Sequence, residues 1–427
     1  MGVSVSLGIS MVWPLIAGFV LFSGAALKRG FTVKKIFGFV RESLAESFIV
    51  IGILLIIGCL TGTWRLSGTV AYFITAGISS IPPRMFLLAA FLLASVMSYA
   101  LGTSFGVSAT AGVILMSIAR AGGVDPVWAA GAVLSGVYFG DRGSPAASSA
   151  NLVAVLTHTD MRRNVREMLK CSFVPYLICI AVYTVLSLFD PMDAVDTEIL
   201  DMLGNEFDLH WACLVPAVLM IVLPLCKVKI KLSMIISLAA SVAAAMLCQG
   251  ASPADCLHAA VFGYSTADPR LDAMLSGGGV VSMIEVSLIL IVSCSYGKIF
   301  QGTGMLDGVN DGLKRLSERI GRFPAMLLIG LMSAAVFCNQ TIGAIMQSNL
   351  SEGLYRKDEN YEKMIDMENS VILLAGMVPW CIACSVPLAM LGADIRSIPL
   401  SIYLWLVPLW WLWKSRGIPS TEPCREK

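Results

Sequence analysis

Apolar runs long enough to cross about 30 Å of hydrocarbon recur from one end of this sequence to the other, each closed by charge or by a Gly or Pro cluster. That recurrence leaves little choice of fold class. Hydrophobic residues make up 57% of 427 positions and charged residues 14%, more apolar surface than a soluble core of this size needs. We expect an all-α polytopic membrane protein with about 11–12 transmembrane helices, some of them broken or re-entrant. The spanning or partly spanning segments fall near 9–26, 47–66, 85–101, 104–120, 126–140, 171–189, 211–226, 232–249, 278–298, 323–339, 369–391 and 398–414.

The net charge of +1 gives no bulk attraction to nucleic acid. The twelve cysteines are scattered mostly through apolar runs. Cys381 and Cys384 form a C-x-x-C without a second ligand pair, which reads as packing rather than a metal or redox site. The run 9–26 has no basic residue before it and Lys28, Arg29, Lys34 and Lys35 after it, the reverse of a cleavable leader, so it is expected to stay as a first helix with its amino end outside.

Lys and Arg gather at 27–41, 162–170, 227–231 and 314–322, which assigns those loops to the cytoplasm. Residues 190–208 carry seven acids and no base, and are expected outside. They divide the chain into a first membrane half (1–189), an external acidic linker (190–210) and a second membrane half (211–427). Lys414, Arg416, Arg425 and Lys427 place the carboxyl tail inside only if one segment enters and returns on the same side, and 339–350 is the natural candidate. Amphipathic stretches at 32–46, 161–170 and 305–320 read as helices lying in the cytoplasmic interface, in contact with membrane lipid.

Polar, glycine-containing patches interrupt two of the runs: Gly102-Thr103-Ser104-Phe105-Gly106, and Asn339-Gln340-Thr341-Ile342-Gly343. Non-helical backbone at membrane depth is tolerated only where it is buried in protein or lines a wet cavity, so matching interruptions point to a transporter with an internal repeat. The bland alternative is close helix packing through small residues.

The densest signal is the stretch from Tyr138 to Asn151. Gly140, Gly143 and Pro145 break regular helix and free carbonyls, while Asp141, Ser144, Ser148, Ser149 and Asn151 add side-chain oxygens. Such a set suits a hard cation such as sodium, and one partly buried carboxylate can take a proton or the cation in turn. Asp141 is the expected sodium and proton ligand, with helix capping or pairing to Arg142 as the structural alternative. Thr103, Ser104, Asn339, Gln340 and Thr341 are its expected companions. Glu285, alone in an apolar run, reads as a second proton site or as a structural hydrogen bond. Glu368 opens a later interrupted helix with Gly376 and Pro379, which we expect to supply the second-half counterpart of 140–151; Asp366 and Lys363 nearby look like an ordinary solvated helix start.

The run Tyr138, Phe139, Gly140, Asp141, Arg142, Ser144, Pro145 and Asn151 resembles the signature of the NhaC-type sodium/proton antiporters. The resemblance continues through Gly102-Thr103-Ser104-Phe105-Gly106 with Ala109-Thr110, Leu275-Ser276-Gly277-Gly278-Gly279, and Thr303-Gly304-Met305-Leu306. It departs where that family commonly has an acid, here Ser148, and a threonine, here Ala150. It implies two inverted halves related to the ion transporter superfamily, whose members tend to be homodimers, and transport of Na+ and H+ with no cofactor.

The expected function is sodium/proton antiport by alternating access, in a multi-pass protein of the inner or plasma membrane. The alternative is a sodium- or proton-coupled transporter of a small organic acid or amino acid, because the missing acid at 148 leaves room for an anion. Gly102-x-Ser104-x-Gly106 also fits a hydrolase pattern, but the strand-turn-helix setting is absent and His158, His210 and His258 lie outside the runs, so no enzyme is expected.

Overall fold

A computed structural model of the chain describes residues 10, 12–192, 197–226, 228–303, 317–356 and 358–415. Among these the fold is helical, with one isolated antiparallel bridge between Tyr264 and Gly277. The helices are α1 (Val12–Lys28), α2 (Val33–Leu66), α3 (Thr69–Ser80), α4 (Phe86–Leu101), α5 (Ser104–Ala121), α6 (Pro126–Gly143), α7 (Ser148–Leu156), α8 (Met161–Phe189), α9 (Thr197–Glu206) and α10 (Val215–Leu225). They continue as α11 (Ile230–Cys248), α12 (Pro253–Phe262), α13 (Pro269–Leu275), α14 (Ile284–Thr303), α15 (Arg322–Phe337), α16 (Gln340–Leu350), α17 (Asn360–Glu368), α18 (Val371–Leu374), α19 (Ile382–Leu391) and α20 (Ile402–Ser415).

Five described helices are long and apolar enough to cross a membrane unaided. Two bent pairs add to them, with angles of 67° after Leu66 and 51° before Ile382, and four shorter apolar helices stand beside them. Large apolar side chains such as Leu93, Val96, Phe173, Leu177, Leu188 and Val222 point outward, as a surface that faces lipid does. The chain is an all-α polytopic membrane protein.

The stretches 32–46 and 161–170 are not separate surface helices, as the sequence pattern suggested. Thr32 caps Lys35 N and Asp160 caps Arg163 N, and no Gly or Pro break follows before the apolar run, so each stretch is the first part of one long helix, α2 or α8. The stretch 305–316, the Gly304-Met305-Leu306 part of the family resemblance, Lys314, Arg315, Asp193 and Asp196 lie outside the described residues.

Helices α4 and α6 run parallel in near contact. A Cβ on Gly136 would meet Phe91 O at 2.5 Å, and one on Gly140 would meet the Ser98 carbonyl carbon at 2.0 Å, so only hydrogen fits at either position. This is the small-xxx-small solution to association in lipid, where no hydrophobic force draws helices together. Ser98 Oγ crosses the seam to the Val137 carbonyl. Both helices therefore end side by side, at Leu101 and Gly143.

Two helix breaks share one backbone geometry. Gly102 (φ 62, ψ 31) is followed by extended Thr103 (φ −149, ψ 123); Cys338 (φ 56, ψ 14) is followed by extended Asn339 (φ −142, ψ 125). In each, the left-handed residue stops a 16-residue helix and the next caps a new one. A second pair, Ser144 to Ala147 and Val378 to Cys381, also matches: ψ is 140 and 110 at the residue before each proline, and φ and ψ are −69, 130 at Ala147 and −74, 139 at Cys381. Proline forces the preceding residue out of the helical region, which is the local cause of both.

The tertiary contacts repeat as well. Carbonyls that α4 and α15 lose at their ends are bonded by the neighbouring break: Ser144 Oγ donates to Tyr99 O at 2.6 Å, and Trp380 Nε1 donates to Ala335 O at 2.8 Å. After its break α16 folds back along α15. Gln347 Nε2 reaches Met326 O at 2.7 Å, and a Cβ on Gly343 would lie 3.6 Å from Ala334 N. Residues 322–350 thus form a hairpin that enters and returns on one face. That face collects Arg163 over the Tyr361 ring at 3.7 Å, Arg322 beside Glu359 at 3.2 Å, and Trp411 Nε1 on Asp366 at 2.7 Å.

Candidate functional site

Asp141 lies in the last turn of α6, 4% exposed, held where the two parallel helices end. Its Oδ1 accepts from Ser104 N at 3.3 Å and its Oδ2 from Gln340 Nε2 at 3.3 Å. Ser149 Oγ donates to its main-chain carbonyl, and the hydroxyls of Ser104 and Ser149 border the carboxylate. Ser104 begins α5, Gln340 begins α16 and Ser149 lies in the first turn of α7. Three helix amino ends therefore converge on one buried acid, and their free N–H groups and dipoles favour negative charge there.

Other residues singled out in the sequence shape this centre without touching the carboxylate. Thr103 caps Gly106 N at 3.3 Å, and Asn339 caps Thr341 N at 2.9 Å. Thr341 itself is exposed. Ser144 holds Tyr99 O and accepts from Ala146 N at 3.1 Å. Asn151 Nδ2 closes the 144–147 turn through Pro145 O at 3.1 Å and Ala147 O at 2.7 Å, and Ser148 is exposed at the start of α7.

Glu285 is not brought to the cluster. It sits on the exposed side of the first turn of α14 and accepts a hydrogen bond from Ser10 Oγ. Glu368 is fully buried at the end of α17, and neither carboxylate oxygen has a partner. Its main-chain carbonyl accepts from Arg142 Nε at 3.2 Å, which brings the residue beside the Asp141 turn. Asp366, expected in a solvated helix start, is 3% exposed and bonded to Tyr355 at 2.7 Å, Trp411 and Arg322. Tyr355, Trp411 and Arg322 enclose it from separate parts of the chain, long-range contacts that local composition does not announce.

Sequence reasoning paired Arg142 with Asp141 or a cap, and missed its reach. The fully buried guanidinium bonds Tyr403 Oη at 3.1 Å, Asn369 Oδ1, Cys171 Sγ and the Glu368 carbonyl, tying α6 to α8, α17 and α20. Ser108 was missed too. It opens a five-residue π-helical bulge in α5, is fully buried with an unpartnered hydroxyl, and stands one turn after Ser104. The neighbouring Ala109-Thr110 was the only signal. Among the described residues no three His, Cys, Asp or Glu side chains gather as a metal-binding group.

The profile of the Na+/H+ antiporter family matches residues 136–412, which spans the Asp141 break, the α15–α16 hairpin and the proline break before α19. The chain belongs to the Na+/H+ antiporter family. A malate-2H(+)/Na(+)-lactate antiporter of Bacillus subtilis is 30% identical over 363 residues, covering 83% of this chain and 78% of the relative. The Na(+)/H(+) antiporter NhaC of Alkalihalophilus pseudofirmus is 24% identical over 365 residues, 83% and 79% of the two chains. The arginine/ornithine antiporter ArcD of Halobacterium salinarum is 25% identical over 397 residues, 88% and 80%. This Na+/H+ antiporter family member is thus a transporter and not an enzyme, and the Gly102-x-Ser104-x-Gly106 run serves as a helix break and cap.

Proposed function

We propose that the protein exchanges sodium ions for protons by alternating access around Asp141. The observation that carries this reading is the buried carboxylate of Asp141 at the meeting point of two helix breaks, with helix amino ends from both parts of the chain upon it. A charged site is costly to move through hydrocarbon, so the carboxylate crosses only when a proton or a sodium ion neutralises it. Competition for one group then couples the two flows. Ser104, Ser108 and Ser149 are the nearby hydroxyls for the cation, and Glu368 stands close by as the second buried acid that position 148 lacks. Sodium and proton are cargo on this reading, and no resident cofactor takes part.

On this reading the protein sits in the plasma membrane, and the excess of Lys and Arg on the face of Arg163, Arg322 and Lys414 supports a cytoplasmic side there. The repeated breaks support a division into 1–189 and 211–427 as two halves, joined by the external linker 190–210. A homodimer sealed by lipid-facing helices is compatible with this arrangement.

A second reading, exchange of a small organic acid or amino acid coupled to sodium or protons, is favoured by Ser148 in place of an acid and by the malate/lactate and arginine/ornithine exchange for which the Bacillus and Halobacterium relatives are named. Reconstituted protein should acidify or alkalinise the vesicle lumen on a sodium pulse, and Asp141→Asn should remove that response while purifying normally. Retained flux in Asp141→Asn ends the first reading; flux only in the presence of a carboxylate or amino acid selects the second.

A further inference from the structure

Two arginines line one cavity far from the Asp141 centre. The cavity holds about 280 Å³ and is bounded by Arg65 at the end of α2, Arg120 at the end of α5, the Ser276–Gly278 turn and the end of α19. Helices α5 and α19 both start at the broken-helix centre and both finish here. At about 1.5 Å per residue, Val113 in the cavity wall lies roughly 14 Å along α5 from Ser104.

Neither guanidinium has a carboxylate within ion-pair distance among the described residues. Arg120 Nη2 spends its bonds on the Leu391 and Gly392 carbonyls, both at 2.9 Å, and Arg65 Nη1 on Thr61 O at 2.7 Å. Arg65 is 7% exposed, and its buried Nε has no partner. Each guanidinium offers five N–H donors and no acceptor, and a buried donor left unmet is costly. Two positive charges facing one space without a carboxylate partner favour an anion there. The rest of the wall is mixed: Thr61, Ser276 and Ser282 bring hydroxyls, while Val113, Met274, Met283 and Met390 form an apolar part that suits a short carbon skeleton, which an inorganic ion lacks.

We infer that this cavity binds the carboxylate of a small organic acid, held by Arg65 and Arg120, on the face opposite the basic one. Guanidinium forks bind carboxylates through paired, charge-assisted hydrogen bonds, and the methionines adapt to the chain between them. The site gives the transporter reading a substrate class and rests on that reading for its purpose. Binding itself does not depend on Asp141, so the two are separable.

The test uses purified full-length protein in nanodiscs, titrated with succinate and with lactate, and with chloride and phosphate as inorganic probes. Saturable binding of either carboxylate is expected, weakened at least about tenfold in Arg65→Gln and Arg120→Gln and unchanged in Asp141→Asn and in the exposed-residue control Arg84→Gln. No carboxylate binding by the wild-type protein overturns the proposal. So does phosphate or chloride binding as tightly as both carboxylates. Should the arginine variants not fold, hydrogen exchange on the wild-type chain decides: succinate or lactate should slow exchange at 276–283 and 389–392, and unchanged exchange there also overturns it.

Discussion

The breaks at Gly102-Thr103 and Cys338-Asn339 are the same piece of backbone with different chemistry. In each, a left-handed residue ends one helix, an extended polar residue caps the next, and a neighbouring side chain takes up a carbonyl the first helix has lost. The first break presents a backbone N–H to Asp141, whereas the second presents the side-chain amide of Gln340. One part of the chain supplies the charge and the other a neutral donor. The backbone is repeated because both breaks expose helix ends within the bundle; the acid is not, and the second break offers a neutral donor in its place.

The breaks also differ in tolerance. A Cβ at Gly102 would meet the Ala146 carbonyl carbon at 2.4 Å, on top of its positive φ, whereas Cys338 already carries a side chain at φ 56. Substitutions sharpen the contrast. The largest effect is expected from Gly140→Leu, which drives a side chain into the Ser98 backbone and should leave no monodisperse protein by size exclusion. Gly102→Ala combines left-handed strain with overpacking, and should cost about 2–4 kcal/mol, read as a lowered unfolding temperature in detergent. Cys338→Gly trades relieved strain against a lost buried thiol and should stay within about 1 kcal/mol of wild type. Equal penalties at 102 and 338 would erase the distinction.

Smaller effects probe the donors. Gln340→Leu removes one charge-assisted hydrogen bond to Asp141, about 1.4 kcal/mol or tenfold in apparent sodium affinity, measured by the concentration dependence of flux. Ser104→Ala keeps the backbone donor and should shift that affinity by less than about threefold. If Ser104→Ala proves the more damaging of the two, its hydroxyl, not the helix end, is the group that matters.

Much of this was legible because lipid imposes simple rules. The apolar runs, the glycine and proline breaks and Asp141 stood out against a background that excludes polar groups; the charge of the tail asked for one returning segment, and the polar residues of 339–350 located it. The residues read as one cage did not all meet. Thr103, Ser144, Asn151 and Asn339 spend their side chains on turns and caps, and Glu285 faces outward. Composition shows that a polar side chain must be satisfied, not which atom will satisfy it.

Local sequence settled the chemistry available along each helix: where it starts, where it unwinds and which side chains sit at the break, since caps, prolines and left-handed glycines act over a few residues. Convergence of Ser104, Asp141 and Gln340, the burial of Glu368 and Asp366, the span of Arg142 and the facing of Arg65 toward Arg120 depend on how separate helices pack. Those contacts join residues from tens to more than two hundred positions apart, and their energy comes from excluding lipid and water around groups that no nearby residue can shield.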